Sequence, residues 1–255
     1  MLGSLIYGDG LRPRPGSART TVLGGPGGRL RVLESGHADD VHAILVHGTP
    51  GRAEGWSRSL AEPPPGIRFT AFDRPGFGGS SPRRALPSLE QQAAAIDLIL
   101  ERTPGPVILV GHSLGAPIAC MAAIRRPGRI AGLVLAAGSM DPMLEGRRWF
   151  NHVVRYAGGL AGRPLRNANR EIWTLQAELV ALAARLPDVR AHVRILHGGQ
   201  DRLAAVANAT YSADRLRSAA SLRFQLLPDA GHFLPWRQRA ELHAAITEIA
   251  ELING

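Results

Sequence analysis

Nine consecutive residues, Val107 to Gly115, constrain this chain more than any other feature. Val107-Ile108-Leu109-Val110 is an apolar run with β-branched residues, too short for a helix and suited to a buried parallel strand. It runs directly into Gly111-His112-Ser113-Leu114-Gly115, a G-x-S-x-G sequence. Ala116 to Ile124 follows and reads as a helix of small residues, with Pro117 in the first turn, where a backbone N–H has no helical partner. Strand, G-x-S-x-G and helix in this order read as a nucleophile elbow. Gly111 and Gly115 are required because a Cβ at either would collide with the neighbouring strand and helix. The Ser113 hydroxyl then stands above the sheet edge, with the Leu114 N–H beside it at the positive end of a helix.

The rest of the chain alternates strands and helices. Thr20–Leu23 and Leu30–Glu34 alternate like strands, with Gly24 to Gly28 as a hairpin turn. Residues before Arg19 read as an irregular lead-in. Ala43–Val46 is a buried strand ending in His47-Gly48-Thr49-Pro50-Gly51, and a helical stretch follows near Trp56 to Leu60. Arg68–Phe72 is a strand ending in Asp73 to Ser80. Ser88 reads as the N-cap of one amphipathic helix, Leu89 to Arg102. Ile130–Ala137, Val193–His197 and Leu222–Leu227 are further strands, and a last helix covers Gln238 to Ile253. The pattern implies an α/β fold, a mostly parallel central sheet with helices on both faces. It divides into a core, residues 1–139 and 192–255, and a small helical cap insertion, 140–191.

Reactive groups in such sheets collect beyond the carboxyl ends of the strands. Thr49, Ser113, Asp141, Asp201 and His232 all fall there. A serine hydroxyl needs a base within reach, and the base needs a group to orient it. Ser113, Asp201, His232 is one chain order that supplies both. Asp141 also follows a strand, but Asp141-Pro142 reads as a helix N-cap followed by Pro at the first helical position.

With these motifs the chain resembles the α/β-hydrolase superfamily, and within it the cap-bearing esterases, C–C hydrolases and cofactor-free haloperoxidase-like relatives. The resemblance covers Leu30 to Leu252. It rests on His47–Gly51, Asp73–Ser80, Gly111–Gly115, Gly198–Asp201 and Ala230-Gly231-His232. It implies Ser113 as nucleophile, His232 as base, Asp201 rather than Asp141 as acid, and an oxyanion hole from the Thr49 and Leu114 N–H groups. It also implies that His47 braces the oxyanion loop, that His112 packs within the elbow, and that Asp73–Ser80 is scaffold. His152, His192, His197 and His243 match no motif. Serine at position 113 disfavours the aspartyl-ester chemistry of haloalkane dehalogenases and epoxide hydrolases. The His47–Gly51 loop is shared with proline iminopeptidase-like enzymes. The insertion, however, offers no clear carboxylate pair for a substrate amine, and Glu145, Glu171 and Glu178 read as solvated helix faces.

The expected activity is hydrolysis of a carboxylic ester of a small or medium apolar substrate through an acyl-serine. The alternatives are cleavage of a C–C bond or a lactone, or a slow-turnover ligand receptor on the same fold. Apolar residues of the insertion, Trp149, Phe150 and Trp173 with Phe233 beside His232, are candidate pocket walls.

Composition narrows the partners. The 255 residues carry a net charge of +9, and all 30 basic residues are arginine. These are scattered from Arg12 to Arg239 and form no run with interleaved aromatics, so no nucleic-acid partner is expected. The substrate is expected to be a small molecule. No apolar run is long enough to span a membrane, and the first residues lack the plan of a signal peptide, which points to a cytoplasmic location. The single cysteine, Cys120, falls in the helix after the elbow and reads as a core residue. No metal-binding spacing such as H-E-x-x-H occurs, and no cofactor is expected.

Overall fold

The computed structural model describes residues 18–25, 28–146, 149–156 and 160–255, with the side chains of Trp149 and Phe150 outside that description. The described residues form one eight-stranded sheet. In chain order its strands are β1 (Arg19–Gly25), β2 (Gly28–Ser35), β3 (Val41–Val46), β4 (Ile67–Phe72), β5 (Val107–His112), β6 (Ile130–Ala136), β7 (His192–Gly198) and β8 (Ser221–Leu227). In space the order is β1-β2-β4-β3-β5-β6-β7-β8. The β1–β2 and β2–β4 pairs are antiparallel and the rest parallel.

The helices are α1 (Ser57–Ala61), α2 (Leu89–Ala94), α3 (Asp97–Leu100), α4 (Gly115–Arg125), α5 (Trp149–Tyr156), α6 (Arg163–Ala183), α7 (Ala207–Arg215), α8 (Leu234–Arg237) and α9 (Arg239–Asn254). The single helix expected over Leu89–Arg102 is instead two. At the junction the Ile96 N–H bonds to Ala93 O, three residues back rather than four. Ser88 does cap α2, accepting from the Gln91 N–H at 3.4 Å.

Two apolar layers cover the sheet. On one face Ile44, Leu109 and Leu133 pack with Leu89, Ile96, Met121 and the α6 residues Leu175, Leu179 and Leu182. On the other, Ala43, Ile108 and Val134 pack with Leu60 of α1 and Leu242, Ile246 and Ile249 of α9. Cys120 is buried in the first layer, and burial pushes its thiol up to about 12. Strands β3, β5, β6 and β7 are nearly all buried, as strands covered on both faces must be.

Helices α5 and α6 lie between β6 and β7. Buried positions of α6 begin at Asn167, Ala168, Asn169 and Glu171 and continue through Leu175, Leu179 and Leu182. The second half of α6 is therefore a core helix, and its first half reaches out over the strand ends. Several apolar residues of this segment face solvent instead, among them Met143, Val153, Tyr156 and Leu160.

Candidate active site

The order β3-β5-β6-β7-β8 sets the ends of these strands in a row, so the loops after them meet. Ser113 follows β5 directly and has φ of 55°, a left-handed conformation that costs a non-glycine residue about 1–3 kcal/mol. The close approach expected at the flanking glycines is present. A Cβ on Gly111 would lie 2.4 Å from Gly115 O, and one on Gly115 would lie 2.2 Å from Val46 O. Helix α4 starts immediately after, with Leu114 at its N-cap.

His232, after β8, lies against Asp201, after β7, with Nδ1 2.8 Å from Asp201 Oδ2. The other carboxylate oxygen accepts the Leu203 and Ala204 N–H groups at 2.8 and 2.9 Å. Burial alone would raise the Asp201 carboxyl. The bond to His232, the charge there and the two N–H groups outweigh it and hold the carboxyl below its ordinary range. A carboxylate at Oδ2 makes Nδ1 the protonated nitrogen of His232 and leaves Nε2 as the basic one. Asp141 does not join this group. Its Oδ1 accepts the Met143 N–H at 2.8 Å, but the helix expected to open at Pro142 is absent: residues 142–144 form only a turn, and the next helix, α5, begins at Trp149.

His112 donates Nε2–H to the His232 carbonyl at 2.9 Å, and the two rings lie 4.9 Å apart. Burial, reinforced by His232, lowers His112 to about 3, so it is neutral. His197 lies 3.5 Å from Asp201 Oδ2 and donates to Ala204 O at 3.1 Å. It touches the acidic side of the site, although no motif marked it.

The loop after β3 passes beside Ser113: a Cβ on Gly48 would come within 2.9 Å of Ser113 Cβ. His47 donates Nδ1–H to Gly48 O at 2.7 Å, and its Nε2 accepts the Arg74 N–H at 3.0 Å. Burial first, then the nearby Arg74, drives its pKa well down, so this tautomer is neutral. Thr49 Oγ1 is buried with no hydrogen-bond partner among the described residues.

Two cavities meet at Ser113, sharing Thr49, Pro50, Ser113, Leu203 and His232. The smaller, about 180 Å³, is walled by Trp56, His112, Phe233 and Trp236. The larger, about 250 Å³, lies under α5 and α6 and is lined by Val154, Leu165, Ala168 and Ile172, with polar Glu145, Asn151 and Asn169. Phe233 thus stands where it was expected. Trp173 does not line either cavity. It is half-buried against α5, with Arg155 4.5 Å over its ring and His152 5.2 Å away. The side chains of Trp149 and Phe150 lie outside the described residues. Trp56 was not anticipated, and neither was the α6 stripe Leu165, Ala168, Ile172, although its spacing is helical. A larger groove of about 430 Å³ lies between β2 and α2–α3 and contains none of these residues.

The three glutamates expected on solvated faces are all engaged. Glu171 is 2% exposed and forms a bidentate pair with Arg74, which is 0% exposed. Glu178 accepts the Leu89 N–H at the start of α2. Glu145 accepts from Asn208 Nδ2 at 3.4 Å. The reason is tertiary: each is met by a donor from a distant segment. Asp73, in the loop expected to be scaffold, is wholly buried and accepts the Ala53 and Gly79 N–H groups, both at 2.8 Å. Among the described residues no group of three His, Cys, Asp or Glu side chains gathers to hold a metal ion, and no helix is long and apolar enough to cross a membrane.

The family model described as the alpha/beta hydrolase fold matches residues 42–171. A pimeloyl-[acyl-carrier protein] methyl ester esterase of Aromatoleum aromaticum is 30% identical over 234 residues, covering 74% of this chain and 90% of that protein. Lipase LipV of Mycobacterium tuberculosis is 34% identical over 122 residues, 47% of this chain and 44% of that one. Among solved structures, the 2-hydroxy-6-oxo-6-phenylhexa-2,4-dienoate hydrolase of Rhodococcus sp. strain RHA1 aligns with a TM-score of 0.72 at 17% identity, over 91% of this chain and 99% of that one. That likeness is one of fold alone. On the family match and the esterase relative, the chain belongs to the α/β-hydrolase fold family.

Proposed function

We propose that this protein is a serine hydrolase of carboxylic esters with small or medium, mostly apolar acyl groups. The observation that carries the reading is the placing of Ser113, in a left-handed turn, at the junction of two cavities that His232, held by Asp201, also lines. Ser113 Oγ attacks the acyl carbon while its proton passes to His232 Nε2. The carbonyl electron pair moves onto oxygen, where the Thr49 and Leu114 N–H groups receive it. Collapse breaks the ester C–O bond, and the leaving alcohol takes the proton from His232. Water, deprotonated by His232, then releases the acid and restores Ser113. Asp201 orients the imidazole and stabilises its cation.

Residues 140–191 serve in this reading as the cap. The α5–α6 cavity takes the acyl chain and the aromatic cavity the alcohol. The relatives named as an esterase and a lipase support an ester over a C–C bond or a lactone. The test is a panel of aryl esters, lactones and amides run on wild type and Ser113→Ala. Ester turnover is expected in the wild type and a fall of about 10⁴-fold or more in the variant. Near wild-type turnover by folded Ser113→Ala would refute the nucleophile. Saturable binding without turnover in the wild type would make the protein a receptor on this fold.

A further inference from the structure

The fully buried pair Arg74–Glu171 joins the α6 helix to the loop that carries Thr49. Arg74 Nη1 donates to Glu171 Oε1 at 2.8 Å and Nη2 to Oε2 at 3.0 Å. The same guanidinium donates Nε–H to His47 O and Nη2–H to Gly48 O, both at 3.0 Å. Gly48 O also accepts from His47 Nδ1 at 2.7 Å. The carbonyl of the Gly48–Thr49 peptide is therefore held by two donors, one of them a cation.

A trans peptide is planar, and its C=O and N–H point in opposite directions. Fixing Gly48 O fixes the heading of the Thr49 N–H. Donors on the carbonyl also draw electron density through the peptide and strengthen that N–H as a donor, since hydrogen bonds in series polarise one another. Burying an ion pair is costly, and breaking one by removing a partner costs more. Glu171 neutralises Arg74 from the cap side, and Gln92 Nε2, 3.2 Å from Oε1, secures the carboxylate further.

We propose that Arg74, clamped by Glu171, is a positioning residue of the oxyanion hole that orients and polarises the Gly48–Thr49 peptide. The proposal rests on the hydrolase reading above. It makes the anchoring of α6 a condition for transition-state stabilisation and not only for shaping the cavity. A purely structural pair would tie α6 to the core and affect only stability.

The test compares wild type, Glu171→Gln and the double variant Arg74→Met/Glu171→Leu, which leaves no buried charge unpaired. Reactive serines are counted with a fluorophosphonate, so that kcat refers to folded sites only. In the double variant kcat is expected to fall about 10- to 100-fold, less than loss of a whole oxyanion donor, with KM for the same ester nearly unchanged. Affinity for a trifluoromethyl ketone, whose adduct with serine carries an oxyanion, is expected to fall by the same factor as kcat/KM. Inhibition by the product alcohol is expected to stay constant. Fewer titratable sites with unchanged kcat per site would overturn the proposal. Glu171→Gln carries the same readings, with a smaller fall, if the double variant yields no titratable sites. A wild type that takes no label would refute the hydrolase reading itself, a result distinct from failure of the clamp.

Discussion

At the scale of single residues, the two aspartates that follow strands do different physical work. Asp201 faces an imidazole and two N–H groups, whereas Asp141 accepts one N–H of its own turn. Asp201→Asn is expected to keep the fold and lower ester turnover by about four orders of magnitude, because an amide favours the wrong tautomer of His232. Asp141→Asn keeps an oxygen for the turn N–H, and Asp141→Ala loses that one bond at about 1 kcal/mol of stability. Turnover and urea midpoints of the three variants, side by side, check the assignment. A larger rate loss in either Asp141 variant would move the acid to β6. The place of Asp201 beside His232 was legible in the sequence because it depends on the loop Gly198 to Gln200, whereas the helix read from Asp141-Pro142 is only a turn, since a cap and a proline do not by themselves supply the residues to continue one. Arg74 and Glu171 were not legible. They are 97 positions apart, and a glutamate on an amphipathic helix looks solvated until its partner is known. Trp173 failed for the related reason that a large apolar residue does not say which face of a helix pair it packs on.

Among the elements, α6 has two parts with separate duties. Leu179 and Leu182 hold it in the core, Leu165, Ala168 and Ile172 line the larger cavity, and Leu175 does both. Filling the cavity from this stripe should shorten the accepted acyl chain without loosening the core half. Ile172→Trp is expected to shift the preferred p-nitrophenyl ester to a shorter chain, with kcat on the acetate ester held within about threefold, since the added bulk meets only the longer chains. An unchanged chain-length profile would place the acyl group in the aromatic cavity. The existence of helices in this segment was readable from its lack of strand signals. Their division of labour was not, because burial on α6 changes character midway with no break in its sequence pattern.

For the whole molecule, the buried histidines set the response to acid. His42 lies between Thr70 and Thr103 and is lowered to about 3, chiefly by burial, and His112 is lowered to about 3 for the same reason. His47 and His197 shift in the same direction, also through burial first. An unfolded histidine takes up a proton below about pH 6.5. From there down to the folded values, the unfolded chain holds more protons than the folded one. Stability is therefore fully present above about pH 6.5 and falls as pH drops below it, by roughly 1.4 kcal/mol per pH unit per histidine. Urea midpoints at about pH 8.5, 7.5 and 5 are expected to be level between the first two and lower at the third. A constant midpoint down to pH 5 would mean these rings take up protons without unfolding. Asp201, held low, adds its own loss only at pH values beneath the ordinary carboxylate range.

The bond from His112 to the His232 carbonyl spans 120 positions of sequence, yet it joins the residue before Ser113 to His232 itself. His112 precedes Ser113 on the same turn, so the loop that presents the imidazole is pinned to the strand that presents the hydroxyl. The two behave as the jaws of a calliper cut from one plate. In the hydrolase reading, a shift of either jaw is therefore resisted by the other through this one bond.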